Sequence, residues 1–99
     1  MNRKPNLIYI FADDMGYGDV SCLNETSAFK TPQLDKLAGQ GMRCTDAHSS
    51  SAVCTPSRYS VLTGRYNWRS TLKSGVTGGY SQPILEDGRL TVASMLKEQ

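Results

Sequence analysis

Two adjacent carboxylates are the first candidates for chemistry in this chain. Asp13 and Asp14 directly follow an apolar run at 6–12, and they open the acidic, glycine-containing stretch DDMGYGD at 13–19, which is typical of a loop. Where the chain turns, both side chains can converge, and paired carboxylates are the hard oxygen ligands that Ca²⁺ or Mg²⁺ prefers. A pair of solvated or capping aspartates is the alternative, and the pair alone leaves both interpretations open.

The second candidate is Cys54, in the stretch SSSAVCTPSRYSVLTGR at 49–65. The sequence predicts a helix start here, and the unpaired N–H groups and dipole of a helix N-terminus favour an anion. Arg58 follows one turn later, where its guanidinium can reach the same anion. Residues 54–58 are therefore a candidate pocket for a phosphate or sulfate ester. A small buried cysteine before an ordinary helix is the alternative.

A strand before the aspartate pair would position both residues at the edge of a sheet, and the sequence predicts such a strand. NLIYIFA at 6–12 is a continuous apolar run with β-branched and aromatic residues, typical of a strand buried on both faces of a parallel sheet. A helix is predicted over 30–42, with Thr31 as N-cap and Pro32 in the first turn. MRCTDAH at 42–48 is the next predicted strand. Strand, helix and strand form a βαβ unit, which predicts an α/β fold with a ligand loop at the carboxyl edge of its sheet.

The second half of the chain predicts two more helices separated by a long loop. The segment 56–62 begins a helix that Gly64 ends, and no periodicity is visible over 65–88. The last residues, 89–99, open a helix with Thr91 as its cap, and no C-terminal signal follows. A parallel sheet needs several strands and helices on both faces. We therefore expect this chain to be the front part of a larger domain.

Composition excludes some classes of partner. The chain has 99 residues, of which 38% are hydrophobic and 20% charged, and its net charge is +2. The basic residues are scattered among acidic ones, so we expect no nucleic-acid partner. No apolar run approaches the length of a membrane span, and no secretory signal pattern is present, so we expect no membrane partner.

The three cysteines, Cys22, Cys44 and Cys54, are an odd number. At most one disulfide can form among them, which leaves one thiol over. Together with the sole histidine, His48, they make a four-ligand zinc site formally possible. Their spacing fits no familiar zinc pattern, because no CxxC pair is present. A thiol or zinc protein is therefore the weakest alternative.

The residues around Cys54 carry a resemblance to a known family. CTPSRYSVLTGR resembles the signature of the type I sulfatases, in the alkaline-phosphatase superfamily, and the opening stretch KPNLIYIFADDMGYGD is similar to their first strand and metal loop. TPQLDKLAGQGM resembles the first helix of the same family. The residues that match the signature are Cys54, Pro56, Ser57, Arg58, Thr63, Gly64 and Arg65.

The resemblance implies a fold and a place within it. The chain would be the N-terminal part of an alkaline-phosphatase-like α/β sandwich with a mostly parallel central sheet. Residues 1–99 would form the N-terminal portion of a sulfatase catalytic domain, which is incomplete because the chain stops inside a predicted helix. The family's remaining metal ligands and its Lys-x-His motif have no match here. We therefore expect the 99-residue chain alone to be inactive.

The resemblance also implies a covalent modification. Cys54 would be oxidised to Cα-formylglycine by a separate formylglycine-generating enzyme, which reads Cys54, Pro56, Ser57 and Arg58 in the unfolded chain. The aldehyde then hydrates, and one hydroxyl attacks the sulfur of a sulfate ester and displaces the alcohol with its C–O bond intact. The second hydroxyl then collapses back to the aldehyde and expels sulfate. The expected substrate is a small-molecule or carbohydrate sulfate ester of the arylsulfatase type.

The same resemblance implies the roles of the charged residues. One Ca²⁺ would be bound by Asp13, Asp14 and an oxygen of modified Cys54. Arg58 would bind the nucleophile and the charge of the transition state. Two alternatives stay open. One is a phosphonate monoester or phosphodiester hydrolase of the same superfamily, and the other is a non-catalytic, truncated remnant.

Overall fold

A computed structural model describes residues 4–99, which divide into two compact units. The first unit ends at Arg43, and the second covers Cys44–Gln99. Single 3₁₀ turns lie at Tyr17–Asp19 and Asn67–Arg69. The α-helices of the described residues are α1 (Pro32–Gln40), α2 (Cys54–Thr63) and α3 (Val92–Lys97).

Helix α1 confirms the prediction over 30–42. Pro32 is its first residue, where a missing N–H costs no helical hydrogen bond. Thr31 occupies the N-cap position, but its side chain does not cap the helix. Its hydroxyl instead donates to the Asp35 carboxylate at 3.0 Å. The last residue of the helix is Gln40, and Gly41 is its C-cap residue.

Helix α2 begins two residues earlier than predicted, at Cys54 rather than at Pro56. Pro56 is therefore the third helical residue, which a helix tolerates because the first-turn N–H groups have no helical acceptor. Gly64 ends the helix with a φ of 65°, and its N–H donates to the Ser60 carbonyl at 2.8 Å. The predicted glycine stop is confirmed.

Helix α3 confirms the prediction that Thr91 caps a helix within 89–99. The Thr91 hydroxyl accepts from the Ser94 N–H at 3.2 Å, and the Ser94 hydroxyl accepts from the Thr91 N–H at 2.9 Å. These two reciprocal bonds satisfy donors that a helix start leaves open. The sequence therefore fixes the first turn of α3 locally.

The two predicted strands do not form within residues 4–99, where no β-strand is present. The segment 6–12 is exposed rather than buried: Ile8 and Ile10 are 86% and 80% exposed. The segment 42–48 contains a turn at 45–46. A strand exists through hydrogen bonds to a neighbouring strand, and an apolar run without such a neighbour cannot satisfy its backbone groups in a sheet. The predicted βαβ unit is therefore not formed in this part of the chain.

Burial is concentrated around α2. Among the described residues the buried ones are Pro56, Ser57, Tyr59 and Ser70, all in the second unit. Helix α2 packs against α3 and against the 3₁₀ turn at Asn67–Arg69. Tyr59 is 2% exposed and is the buried hydrophobic side chain of this packing. None of the helices described is long and apolar enough to cross a membrane.

Candidate active site

Cys54 is the first residue of α2, at the positive end of the helix. The preceding Val53 is extended, with φ −131° and ψ 160°, and its side chain does not cap the helix. Ser57 is the first residue of α2 whose N–H donates to a carbonyl at the helix start, that of Val53 at 3.3 Å. The amides of Cys54 and Thr55 thus precede the hydrogen-bonded part of the helix. Together with the exposed Cys54 side chain, they favour an anion beside Cys54.

Arg58 adds a full positive charge on the same side of the helix. It lies four residues after Cys54, and side chains at that spacing have Cβ atoms about 5–6 Å apart on one face of an α-helix. Both residues are exposed. Helix α2 therefore places Cys54 and Arg58, the two residues predicted to carry the catalysis, one turn apart along the chain.

Ser57, predicted as part of a maturation signal, has a structural role of its own. It is 5% exposed, and its hydroxyl donates to the Ser51 carbonyl at 2.9 Å. The Ser49 hydroxyl also donates to that carbonyl, at 2.7 Å, and lies 3.1 Å from the Ser57 hydroxyl. These bonds connect the loop before Cys54 to the first turn of α2. Ser57 thus fixes how the chain enters the helix.

Thr55, the variable position of the signature, connects Cys54 to a distant loop. Its hydroxyl accepts from the Thr77 N–H at 3.2 Å and lies 3.2 Å from the Thr77 hydroxyl. A tight turn follows, because the Gly78 N–H donates to the Ser81 hydroxyl at 2.8 Å. The turn places Tyr80 fully in solvent. Sequence patterns gave no sign of this contact, since it joins hydroxyls 22 residues apart in the chain.

The far end of α2 has a structural role. Thr63 donates its hydroxyl to the Tyr59 carbonyl at 2.8 Å, and Gly64 supplies the left-handed residue that ends the helix. Arg65 lies 3.9 Å from Glu86. The Arg89 side chain donates to the other oxygen of Glu86 at 2.9 Å, and chiefly this bond lowers the pKa of the Glu86 carboxyl. The Thr-Gly-Arg part of the signature therefore ends and anchors α2.

The aromatic residues after α2 pack on each other. The rings of Tyr66 and Trp68 are stacked, with centroids 4.0 Å apart and an interplanar angle of 12°. They follow the C-terminal end of α2, and the ten residues of that helix span about 15 Å. The pair is therefore at the opposite end of the helix from Cys54.

Asp13 and Asp14 lie in the first unit, in the bend that follows 6–12. Asp14 has a φ of 55°, and it is the non-glycine residue of the described chain with a left-handed backbone. Such a conformation is uncommon and tolerated best by aspartate and asparagine. It turns the chain sharply between two exposed carboxylates.

The donor set of this turn fits a calcium ion, although it does not complete a site. Carboxylate oxygens are the ligands that Ca²⁺ prefers, and the ion takes about 6–8 of them. Within residues 4–99, no group of three or more histidine, cysteine or acidic side chains is close enough to bind a metal. The same observation gives no support to a zinc site, and Cys22, Cys44 and Cys54 are free thiols.

Hydrogen bonds centred on Asp35 in the first unit were not predicted from the sequence. This carboxylate accepts from the Ser21 hydroxyl at 2.6 Å and from the Cys22 N–H at 2.9 Å. A signal was present in the sequence, because Thr31 and Asp35 are four residues apart at a predicted helix start. Their partners at 21–22 could not be deduced from that spacing.

Comparison with known proteins identifies the family of this chain. The sulfatase family model matches residues 5–99. The chain is 50% identical over 97 residues to an N-acetylgalactosamine-6-O-sulfatase from Bacteroides thetaiotaomicron, and the match covers 98% of the chain and 19% of that protein. It is 45% identical over 94 residues to human arylsulfatase A, covering 95% of the chain and 18% of that protein.

A third relative, human arylsulfatase G, is 44% identical over 79 residues, which cover 80% of the chain and 14% of that protein. No solved structure gives a significant match. The chain thus spans about a fifth of the length of the first two relatives. Because the family model covers nearly the whole chain, this chain belongs to the sulfatase family.

Proposed function

We propose that the intact protein hydrolyses sulfate monoesters and that Cys54 supplies its nucleophile. The observation that carries this proposal is the position of Cys54, exposed at the uncapped N-terminus of α2 with Arg58 one turn away. A sulfate group is an anion with several acceptor oxygens. A helix N-terminus and a guanidinium are the groups that proteins use for such anions.

An enzyme with an unmodified thiol at this position would not complete a catalytic cycle. Attack of a thiolate on sulfur would give a stable thiosulfate ester without an internal route of release. The proposal therefore includes conversion of Cys54 to Cα-formylglycine, whose hydrated aldehyde supplies both an attacking hydroxyl and a way to expel sulfate. The first-turn amides and Arg58 then bind the ester oxygens and the charge that develops on them.

Asp13 and Asp14 are proposed as ligands of one Ca²⁺, together with an oxygen of the modified Cys54. The ion would neutralise charge on the sulfate and lower the pKa of the nucleophilic hydroxyl. The two aspartates supply the negative charge that attracts the ion, and the left-handed backbone of Asp14 turns the chain at this pair. The other ligands would come from the part of the protein outside this chain.

The whole domain is proposed to be an alkaline-phosphatase-like α/β sandwich with a mostly parallel central sheet. Residues 1–99 would be the N-terminal portion of this catalytic domain. In that sheet, segment 6–12 would pair with strands outside this chain. The exposure of its apolar side chains supports the proposal, because an apolar run of this length is stable in a sheet that buries both faces.

We also propose a formylglycine-generating enzyme as a partner. Pro56 and Ser57 are buried in the folded unit, whereas Cys54 and Arg58 are exposed. An enzyme that reads all four residues must therefore meet the chain before α2 packs. For the substrate, the names of the relatives support a sulfate ester of a sugar or of an aryl alcohol.

Mass spectrometry of the intact protein, expressed with a formylglycine-generating enzyme, tests the modification. The tryptic peptide Cys44–Arg58 contains two cysteines, so Cys44 is an internal control. We expect a loss of about 18 Da at Cys54 alone, a covalent change of the kind that alters the chemistry of a site. An unmodified Cys54, beside a control sulfatase that is converted, would overturn the proposed nucleophile.

Hydrolysis assays test the reaction itself. We expect the modified protein to release sulfate from 4-nitrophenyl sulfate and from a sugar 6-sulfate, and to act more slowly on phosphonate monoesters and phosphodiesters. Faster turnover of the phosphorus esters would establish the alternative hydrolase. A fully modified protein that cleaves none of them would establish a non-catalytic protein.

A further inference from the structure

We propose that Asp35 is a positioning residue for the calcium site, acting through the segment 16–24 that follows the aspartate pair. This inference rests on the proposed function, because it concerns the metal ligands Asp13 and Asp14. It assigns a role to a carboxylate on α1 that the proposed catalysis does not use.

The Asp35 carboxylate connects α1 to the chain ten and more residues before it. Its Oδ2 accepts from the Ser21 hydroxyl at 2.6 Å, and its Oδ1 accepts from the Cys22 N–H at 2.9 Å and from the Thr31 hydroxyl at 3.0 Å. All three bonds are partly buried. Hydrogen bonds to an ionised carboxylate are shorter and stronger than neutral ones.

Ser21 and Thr31 reinforce this connection by bonding to each other reciprocally. The Ser21 N–H donates to the Thr31 hydroxyl at 2.9 Å, and the Thr31 N–H donates to the Ser21 hydroxyl at 2.8 Å. The Arg43 guanidinium donates to the Cys22 carbonyl at 2.8 Å. Hydrogen bonds therefore hold the backbone at 21–22 and the Ser21 hydroxyl in place.

Further hydrogen bonds continue from this point back toward the aspartates. The Asn24 N–H donates to the Val20 carbonyl at 3.2 Å, and its side-chain amide donates to the Gly18 carbonyl at 3.0 Å. The Asp19 carboxylate accepts from the Gly16 N–H at 2.8 Å. The series of bonds therefore reaches Gly16, two residues after Asp14.

This series has a consequence for metal binding. A calcium site needs several oxygens within a narrow range of distances, and outer residues that orient the ligands change metal affinity by about 10–100-fold. Asp14 occupies an uncommon backbone conformation, which persists when the surrounding structure determines it. The bonds from Asp35 to Gly16 fix the chain on the C-terminal side of that residue.

Calcium titration of the intact protein tests the inference. After EDTA treatment, the dissociation constant of Ca²⁺ alone is measured by calorimetry for the parent, Asp35→Asn and Ser21→Ala. We expect both variants to bind Ca²⁺ about tenfold more weakly. Glu25→Gln is the matched control, since it removes the same charge from an exposed site in the same unit, and its affinity should equal that of the parent.

The melting temperature of the metal-free protein separates positioning from a purely structural role. If Asp35→Asn lowers the melting temperature but leaves the calcium affinity unchanged, the inference is overturned. If Asp35→Asn does not fold, Ser21→Ala is used instead. A lower melting temperature of Ser21→Ala with an unchanged calcium affinity then overturns the inference. A parent protein that does not bind Ca²⁺ would instead overturn the metal site of the proposed function, and the inference with it.

Discussion

The hydroxyl of Thr55 lies 3.2 Å from the hydroxyl of Thr77, and the Thr77 N–H donates to the same Thr55 oxygen. Thr55 directly follows Cys54, so a loop 22 residues further along the chain is fixed next to the proposed nucleophile. The partly buried pair connects the position where sulfate would bind with the exposed turn that carries Tyr80. In the proposed reaction the alcohol part of the ester would lie next to the sulfate, which makes this loop a candidate for contacting it.

The first prediction concerns this pair. Thr77→Val keeps the shape of the side chain and removes its hydroxyl, so the loop loses one of its two bonds to Thr55. We expect the KM for 4-nitrophenyl sulfate to rise by about fivefold, the equivalent of about 1 kcal/mol for one hydrogen bond. Inhibition by inorganic sulfate should be unchanged. Thr71→Val, at an exposed position of the same unit, is the control. An equal rise in KM for Thr71→Val would contradict a specific role of the Thr55–Thr77 contact.

Arg58 gives the second prediction. Arg58→Lys keeps the charge but loses the planar, multiply donating guanidinium. We expect kcat to fall by about 10²-fold, which is typical for removing a donor to a transition-state oxyanion. The fraction of formylglycine at Cys54 must be measured in the same samples, because Arg58 is also part of the proposed maturation signal. Arg69→Lys, in an exposed 3₁₀ turn, should leave kcat unchanged.

A pair of glycines provides the third prediction. Gly64 has a φ of 65° and Gly39 lies within α1, and an added Cβ would meet nothing within 4 Å at either position. Gly64→Ala should lower the free energy of unfolding by about 1 kcal/mol, because alanine is strained in a left-handed conformation. Gly39→Ala should raise it by about 0.5–1 kcal/mol. Chemical denaturation measures the free energy of unfolding of each variant. Changes of the same sign in the two variants would contradict the different backbone conformations of the two glycines.

The fourth prediction is a pH dependence. The hydrogen bond from Ser21, the largest cause, together with those from Thr31 and Cys22 lowers the pKa of the Asp35 carboxyl below the usual value of about 3.9. When the pKa of a carboxyl is lower in the folded state than in the unfolded state, the ionised group stabilises the fold at pH values above the unfolded-state pKa. This contribution is lost as the pH falls through the folded-state pKa. Parent and Asp35→Asn should therefore differ in melting temperature at pH 6 and converge below about pH 3.9.

A melting-temperature difference that persists undiminished at low pH would assign the effect of Asp35→Asn to packing rather than to charge. Glu25→Gln again serves as the control. At pH 6 its melting temperature should be closer to that of the parent than that of Asp35→Asn is.

Local signals made the helices predictable from the sequence. Pro32, Gly64 and Thr91 each act through their immediate neighbours, so their effects can be read without knowing the rest of the structure. The strand at 6–12 was predicted from its composition, but a strand also needs a neighbour that composition does not provide. The result is an exposed apolar segment where a buried strand was expected.

In the candidate site, too, only the relationships between residues close in sequence were predictable. Cys54 and Arg58 are related by one helical turn, and sequence spacing alone places them together. The Thr55–Thr77 pair and the partners of Asp35 join residues distant in sequence, and they depend on how loops fold back. Short polar side chains form such contacts without any periodic pattern that would reveal them.

The burial of Ser57 sets an order of events during synthesis. Its partners, Ser49 and Ser51, precede it in the chain, so the loop around it can close as soon as Ser57 leaves the ribosome. Thr77 emerges later, about 1–4 s after Thr55 at ordinary rates of translation. The proposed formylglycine-generating enzyme would therefore compete first with the serine contacts and only afterwards with the threonine pair. The yield of modified protein would then depend on how fast three serines form their contacts, although the proposed reaction does not use them.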